Sequence, residues 1–354
     1  MRREPVEIPG YITVFGSWEC TYACPGCYQA HADKWKHNLG DKPRFMNLTT
    51  FKRIVDEFSP YRTKIGLYSP GENFLNPDVY DMITYAQEQG CPVECDTTGA
   101  PLDPERLAET GISDIIVSID GMTQEVYGAF RRNGRLENVQ RRLEQFAQAV
   151  ERKGGKTNII VKYLVNALTE GQVEQARDYY AKLPNVTLKL DFFLPPTPFE
   201  MIKKNRLIAP LEEYERWRPR LMPDFDIFVP DPEHNIAMHK VMAEGERGAY
   251  CTAITNGMTI DTDGSVSCCC NIDFDDFSPE NEIYFGTIFE HGSALAAFHG
   301  ERARAFREKY WQTNGQFGKC ADCRHNMSVR EKQPMEQAVQ KYDYKTMISG
   351  IARS

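Results

Sequence analysis

Residues 11–27 read YITVFGSWECTYACPGC, an apolar run that passes directly into three cysteines. The run YITVFGS (11–17) has the composition of a buried β-strand. Cys20, Cys24 and Cys27 follow it on what the sequence predicts to be a loop. Three thiolates this close together are soft ligands that suit an iron–sulfur cluster or zinc. The stretch therefore predicts a metal site at the end of a strand.

Five more strand-like segments follow, separated by helix-like segments whose apolar residues recur at three- and four-residue spacing, as in LTTFKRIVDEF (48–58). The strand-like segments are KIGLYS (64–69), CPVECDTT (91–98), DIIVSID (114–120), TNIIVKYLV (157–165) and TLKLDFFL (187–194). Six β/α repeats predict an α/β fold with a parallel sheet, either doubly wound or a partial barrel.

In such folds the chemistry gathers at the carboxyl ends of the strands, and the unusual residues of this chain follow that rule. They are Gly71 and Glu72 after the second strand, Thr98 after the third, Ser118 and Asp120 at the fourth, and Lys162 in the fifth. Each has an ordinary alternative, since a glycine can serve a turn and a lysine can face outward. Their coincidence on successive strands favours a functional site.

The C-x3-C-x2-C spacing, followed in order by GE, TTG and SIDG, resembles the radical S-adenosylmethionine (SAM) enzymes over residues 8–195. The resemblance implies a partial (β/α)6 TIM-like barrel. It also implies a 4Fe–4S cluster on Cys20, Cys24 and Cys27, with one iron left for SAM. An electron from a flavodoxin- or ferredoxin-type protein would cleave SAM to a 5′-deoxyadenosyl radical, which takes a hydrogen atom from the substrate.

The same resemblance implies roles for the strand-end residues. Glu72, with the backbone of Gly71, would hold the methionine ammonium group. Ser118 and Asp120 would lie near the ribose and the carboxylate, with Thr98 along the same channel. Arg131 or Lys162 would pair with the carboxylate. Two positions depart from the family pattern: Gly26 stands where a bulky residue is usual, and Pro70-Gly71 replaces a double glycine.

A second group of cysteines follows the barrel. The stretch GMTIDTDGSVSCCC (257–270) predicts a β-hairpin, and Cys251 and CADC (320–323) flank it. On spacing alone the group suits zinc as well as iron. Behind such a barrel it resembles the twitch domain, the shortened SPASM domain, with one auxiliary 4Fe–4S cluster. The resemblance implies the ligands Cys251, Cys269, Cys320 and Cys323. A non-enzymatic, zinc-stapled binding protein is the alternative.

Alternation along the hairpin predicts that Cys268 and Cys270 face away from Cys269, either packed or lining a cavity. Two reactions stay open. In one, a small polar substrate such as a sugar, aminocyclitol or aminoglycoside is dehydrogenated, and the auxiliary cluster accepts an electron. In the other, Cys268 or Cys270 is the catalytic thiol that returns a hydrogen atom and epimerises a carbohydrate or peptide. Peptide-modifying members of the family that the chain resembles often carry an added peptide-binding domain. With nineteen residues before Cys20 and about thirty after Cys323 we expect none here, which favours the first reaction.

Composition limits the classes of function and the cellular locations that the sequence allows. The formal net charge of −8 argues against nucleic-acid binding. No apolar run approaches the roughly 20 residues of a membrane span. The amino terminus lacks a secretory signal, so we expect a cytoplasmic protein with reduced thiols. The predicted divisions are a barrel (1–195), an insertion or linker (196–245), an auxiliary cluster domain of hairpin plus helix (246–330) and a tail (331–354).

Overall fold

The computed structural model describes residues 5–24, 27, 29, 40–165, 169–192, 251, 253–269 and 277–321. The predicted linker (196–245), the tail (331–354), Cys270 and Cys323 lie outside these residues. All six predicted strands of the first half are present: β1 (Tyr11–Val14), β2 (Lys64–Leu67), β3 (Val93–Thr97), β4 (Asp114–Ser118), β5 (Asn158–Val165) and β6 (Val186–Phe192).

These strands form one parallel sheet in sequential order, β1 to β6, each hydrogen-bonded to the next. A doubly wound sheet would reverse its strand order at a switch point, and this sheet does not. In the described part of the chain β6 lies at a free edge, so the sheet is an open half-barrel. The predicted partial barrel is confirmed.

Helices lie between the strands: α1 (Leu48–Phe58), α2 (Val79–Glu88), α3 (Pro104–Glu109), α4 (Gln124–Phe130), α5 (Leu136–Arg152) and α6 (Val173–Tyr180). Helix α1 shows why the sequence forms them. The Asn47 side chain accepts hydrogen bonds from the backbone N–H groups of Thr49 and Thr50, which caps the amino end. Its apolar residues Phe51, Ile54, Val55 and Phe58 recur at helical spacing and are buried.

The helix-like stretch 123–152 is divided into α4 and α5. Asn133 between them has a positive φ of 72°, a conformation that asparagine tolerates better than most residues. The backbone N–H of Gly134 donates to the carbonyl of Arg131, which closes a turn at the break.

The predicted hairpin consists of β7 (Thr259–Ile260) and β8 (Val266–Ser267), which pair antiparallel. Strand β7 also pairs in parallel with β1, so the hairpin extends the barrel sheet beyond its first strand. The carboxyl-terminal helices are α7 (Ala253–Asn256), α8 (Ala294–Phe298), α9 (Glu301–Gln312) and α10 (Gly318–Ala321). The predicted barrel and auxiliary domain therefore share one continuous sheet.

Candidate functional site

Cys20, Cys24 and Cys27 follow β1 at the carboxyl edge of the sheet. They lie close enough together that the charges of Cys24 and Cys27 affect the pKa of Cys20. Burial, with smaller contributions from the charges of Glu72, Cys24 and Cys27, raises the pKa of Cys20 to about 12 against the opposing hydrogen bond from the Tyr22 backbone. The backbone N–H of Tyr22 donates to Cys20 Sγ at 3.4 Å. Soft sulfur donors gathered where a thiolate charge is costly fit a positively charged cluster core, because a bound metal deprotonates its thiol ligands.

Within the residues that the structure describes, no three His, Cys, Asp or Glu side chains converge on one metal position. The fit of the cysteines to a cluster thus rests on the chemistry of the donors and on their shared location.

Gly71 lies against the segment that leads into the cysteines. Its N–H donates to the carbonyl of Ser17 at 3.1 Å, and the N–H of Glu72 donates to the carbonyl of Glu19 at 2.7 Å. A Cβ atom at Gly71 would stand 2.5 Å from the Glu19 carbonyl oxygen. Only glycine permits this approach, so Gly71 joins the turn after β2 to the loop after β1.

The carboxylate of Glu72 is buried, with 2% of the residue exposed. It accepts hydrogen bonds from Phe74 N (3.1 Å), Thr97 Oγ1 (2.8 Å), Thr98 N (2.6 Å) and Thr98 Oγ1 (2.7 Å). Burial raises its pKa, and these hydrogen bonds oppose that rise. A carboxylate offers about four acceptor positions, so all are filled here.

Two of the four donors to Glu72 are hydroxyl groups, which can rotate away when a stronger donor arrives. No cation of the described chain lies within 4.0 Å of this carboxylate. A buried carboxylate held by rotatable donors and lacking a counter-ion fits an ammonium ligand.

Asp120 and Arg131 form a buried ion pair beside the first cysteine group. Arg131 Nε donates to Asp120 Oδ2 at 2.5 Å, and the backbone N–H of Leu164 donates to Asp120 Oδ1 at 2.6 Å. Arg131 Nη1 lies 3.9 Å from Cys24 Sγ. Burial lowers the pKa of the Arg131 guanidinium, but the charges of Asp120 and Cys24 outweigh burial and raise it. Ser118, also buried, is the last residue of β4 and lies two residues before Asp120.

Both Asp120 oxygens accept hydrogen bonds and the residue is 0% exposed. The predicted place of Asp120 near the ribose and carboxylate of SAM stays a prediction. The position of Asp120 also fits a residue that orients Arg131. Sequence spacing could not show this, because α4 separates Asp120 from its partner.

Every second residue of the barrel strands points to the inner face of the half-barrel, and several of these residues are charged. Deep in this face Lys64 Nζ binds Glu94 Oε2 at 2.6 Å and Asp114 Oδ2 at 2.9 Å. Tyr68 OH donates to Glu94 Oε1 at 2.5 Å. Lys64 thus offsets one of the two carboxylate charges, and the neutral Tyr68 hydroxyl adds a hydrogen bond to Glu94.

Asp96 and Lys162 lie on the inner face nearer the carboxyl ends of the strands. They make fewer hydrogen bonds and ion pairs than Lys64 and Glu94. Asp96 Oδ1 accepts one hydrogen bond, from Asn73 Nδ2 at 3.3 Å. Burial raises the pKa of Asp96, the Lys162 charge opposes that rise and the Glu72 charge adds to it, with a net value of about 7. Among the described residues the Lys162 ammonium makes no hydrogen bond and no ion pair within 4.0 Å.

Asp96 is a candidate that the sequence reasoning missed. The period of two along β3 places it on the same face as Thr98, and that was the available signal.

The second cysteine group gathers beside β8. Cys268 is 1% exposed, and burial raises its pKa. The Arg307 charge opposes that rise, while the charges of Cys251 and Cys320 add to it. Cys269 is partly exposed, and its carbonyl accepts a hydrogen bond from Thr259 Oγ1 at 2.8 Å.

Of the two predicted placements of Cys268, packed or lining a cavity, its burial agrees with the packed one, while Cys269 beside it is partly exposed. The role of Cys268 as a catalytic thiol stays a prediction. The assignment of Cys269 and Cys323 as ligands stays a prediction.

The fold and the site together define an α/β enzyme with iron–sulfur chemistry at the carboxyl edge of an open half-barrel and a second cysteine group on the same sheet. Residues 19–174 match the family model of the radical SAM superfamily, and residues 251–324 match that of SPASM, an iron–sulfur cluster-binding domain. The chain belongs to the radical SAM superfamily and carries an SPASM domain. Its cofactors are SAM and two iron–sulfur clusters, which sets the zinc-stapled binding protein aside.

Mycofactocin maturase MftC of Mycobacterium tuberculosis is 31% identical over 137 residues, 38% of this chain and 34% of the relative. Fe-coproporphyrin III synthase of Methanosarcina barkeri is 28% identical over 137 residues, 34% of this chain and 33% of the relative. The chain spans about a third of the length of these relatives. The crystal structure of Streptococcus suis SuiB bound to precursor peptide SuiA matches with a TM-score of 0.58 and 12% identity, over 86% of this chain and 67% of that chain.

The matched part of SuiB thus shares the fold of this protein. No helix in the described part of the chain is long and apolar enough to cross a membrane.

Proposed function

We propose that this enzyme oxidises a peptide by removing hydrogen from one residue at the carboxyl edge of the half-barrel. The observation that carries the proposal is the pair of opposite charges, Asp96 and Lys162, left open on the inner face beside Glu72 and Thr98. A peptide offers amide, carboxylate and ammonium groups that such a pair can bind. The similarity of fold to SuiB, which binds a precursor peptide, supports a peptide over the carbohydrate-like substrate that the sequence favoured.

Several residues would hold the cofactors. Cys20, Cys24 and Cys27 would bind the first cluster. Glu72 would accept hydrogen bonds from the methionine ammonium of SAM once the Thr97 or Thr98 hydroxyl rotates away. Arg131, oriented by Asp120, would meet the SAM carboxylate together with Ser118. When bound, SAM and the first cluster supply a 5′-deoxyadenosyl radical that abstracts a hydrogen atom.

Asp96 supplies what the sequence reasoning lacked, a proton acceptor. Loss of one hydrogen atom leaves a carbon radical on the substrate, and loss of a proton and an electron completes a two-electron oxidation. The Asp96 carboxylate would take the proton, since burial brings its pKa into the range of a working base. Cys251, Cys269, Cys320 and Cys323 would hold the auxiliary cluster, which in its oxidised form would supply the acceptor for the electron. Lys162 would bind a substrate carboxylate or carbonyl, and its positive charge would offset the negative charge of nearby carboxylates.

Epimerisation through Cys268 is not part of the proposal, because the Cys268 thiol is buried among the auxiliary cysteines. Cys270 lies outside the described residues. The flavodoxin- or ferredoxin-type reductant and the cytoplasmic location stay part of the proposal.

The test uses anaerobically reconstituted enzyme, SAM and reductant with peptides encoded beside its gene, and with aminocyclitols and aminoglycosides in parallel. We expect one peptide to become about two mass units lighter with equimolar 5′-deoxyadenosine. In deuterated buffer the product should carry no new carbon-bound deuterium. Oxidation of a sugar instead, or a peptide that gains one deuterium at unchanged redox state, would contradict the proposal. Asp96→Asn should abolish product while still cleaving SAM.

A further inference from the structure

We propose that Asp261 is a positioning residue that fixes the SPASM hairpin to the base of the loop that carries Cys20, Cys24 and Cys27. Through this contact it would set the position of the first cluster relative to the auxiliary domain. The contact joins residues 243 positions apart in the sequence.

The cysteine motif is flanked by two segments that pair with each other, 16–19 and 42–46, here called the neck. The N–H of Trp18 donates to the carbonyl of Arg44 at 2.9 Å, and the N–H of Met46 donates to the carbonyl of Gly16 at 3.1 Å. Ser17 and Phe45 form an antiparallel bridge. The neck therefore fixes where the loop with the cysteines leaves the sheet and where the chain returns.

Asp261 contacts both segments of the neck. Its Oδ1 accepts a hydrogen bond from Trp18 Nε1 at 2.7 Å, and its Oδ2 accepts one from Lys42 Nζ at 2.7 Å. Trp18 lies two residues before Cys20, on the outgoing segment, while Lys42 lies on the returning one. The adjacent Thr262 Oγ1 donates to the carbonyl of Pro43 at 2.7 Å.

The position of Asp261 follows from the sheet. Strand β7 ends at Ile260, which pairs with Val14 at the end of β1, so the chain after β7 emerges beside the chain after β1. Asp261 is 0% exposed and Trp18 is 1% exposed. A buried carboxylate is stable only where donors and a counter-charge surround it, and the neck supplies both.

Aromatic packing makes the contact rigid. The Phe15 ring meets Trp18 edge-on at 5.7 Å and Phe277 at 5.9 Å. Lys42 Nζ lies over the Phe277 ring at 4.8 Å from its centroid. A hairpin whose strands are two residues each is marginal alone, so this anchoring holds it in place.

The experiment compares reconstituted Asp261→Asn and Lys42→Met with a matched acid-to-amide control, Glu57→Gln. Glu57 also joins the first half of the chain to the auxiliary part, since it accepts hydrogen bonds from Ala294 N and Leu295 N at 2.8 Å each, but it does not touch the neck. Three quantities are measured in each protein: iron content, the electron paramagnetic resonance (EPR) spectrum of the reduced first cluster with and without SAM, and 5′-deoxyadenosine formation.

A misplacement of about 1 Å costs about 100-fold in rate, so we expect Asp261→Asn to lower SAM cleavage by tenfold or more at full iron content. The EPR change that SAM induces should shrink in parallel. Lys42→Met should act in the same direction and non-additively with Asp261→Asn, because the two side chains touch. The rate of SAM cleavage by Glu57→Gln should stay within about twofold of that of the parent.

If Asp261→Asn fails to retain iron, Lys42→Met decides the matter, since it leaves the Trp18 hydrogen bond to Asp261 in place. The proposal is overturned if Lys42→Met, or an iron-replete Asp261→Asn, cleaves SAM within about threefold of the parent and responds to SAM with the same EPR change. It is also overturned if the control is impaired equally.

Discussion

Replacing Glu72 by glutamine tests whether this buried carboxylate binds the SAM ammonium or only holds its own loop together. Each carboxylate oxygen faces one fixed backbone donor, Phe74 N or Thr98 N. A glutamine amide nitrogen must therefore oppose one of them, and an unsatisfied buried donor costs about 1–3 kcal/mol. Removal of the buried charge offsets part of that cost. We expect the free energy of unfolding to fall by only about 1 kcal/mol.

The effect on SAM should be larger. A hydrogen bond to a charged group contributes about 1.5–3 kcal/mol, so the dissociation constant of SAM should rise roughly 10- to 150-fold. The assay is anaerobic calorimetric titration of reconstituted protein with SAM, with thermal unfolding alongside. Thr98→Val is the control, because it removes one rotatable donor and leaves the charge.

Thr98→Val should bind SAM as tightly as the parent or more tightly, since it frees one acceptor position on Glu72. SAM affinity of Glu72→Gln equal to that of the parent would refute the reasoning. So would a loss of affinity in Thr98→Val as large as in Glu72→Gln, because the network would then matter only for the structure.

Four more outcomes follow from the contacts. In a pH–rate profile of the parent, substrate oxidation should rise as pH passes about 7 and level off above it, because Asp96 must lose its proton to act as base; Asp96→Asn should form no product at any pH. Because the folded pKa of Asp96 exceeds the ordinary value, its contribution to stability is greatest below about pH 4 and is lost as pH rises towards 7; Asp96→Asn should remove that slope in pH-dependent unfolding. Gly71→Ala should destabilise the protein by about 1–3 kcal/mol in denaturant unfolding, because the added Cβ meets backbone, while Gly10→Ala, with nothing within 4 Å, should be neutral. Arg131→Lys should weaken SAM binding about tenfold and lower the melting temperature, since lysine cannot donate through Nε to Asp120 and reach Cys24 at once; unchanged binding would contradict that role.

Local patterns in the sequence predicted the architecture well. Strand alternation and helical spacing located all six barrel strands, and the cysteine spacing located both cysteine groups. These signals succeed because they are short-range: a strand's period of two and a helix's of 3.6 follow from the backbone alone.

The contacts that arrange the site were out of reach because they join distant positions. Nothing local shows that β7 would pair with β1, and so nothing shows that Asp261 would meet Trp18. Asp96 was missed because it lies inside a strand, where its neighbours suggest packing. Alternation left open whether Cys268 is packed or lines a cavity, because burial depends on the helices and loops that pack against the hairpin; the structure has it buried.

The most direct test of the account is iron and sulfide counting on anaerobically reconstituted protein and on the triple variant Cys20→Ala, Cys24→Ala, Cys27→Ala. Two 4Fe–4S clusters predict about eight irons in the parent and about four in the triple variant. The triple variant should also form no 5′-deoxyadenosine. Two zinc ions in place of iron, or a triple variant that keeps all its iron and cleaves SAM, would contradict the account.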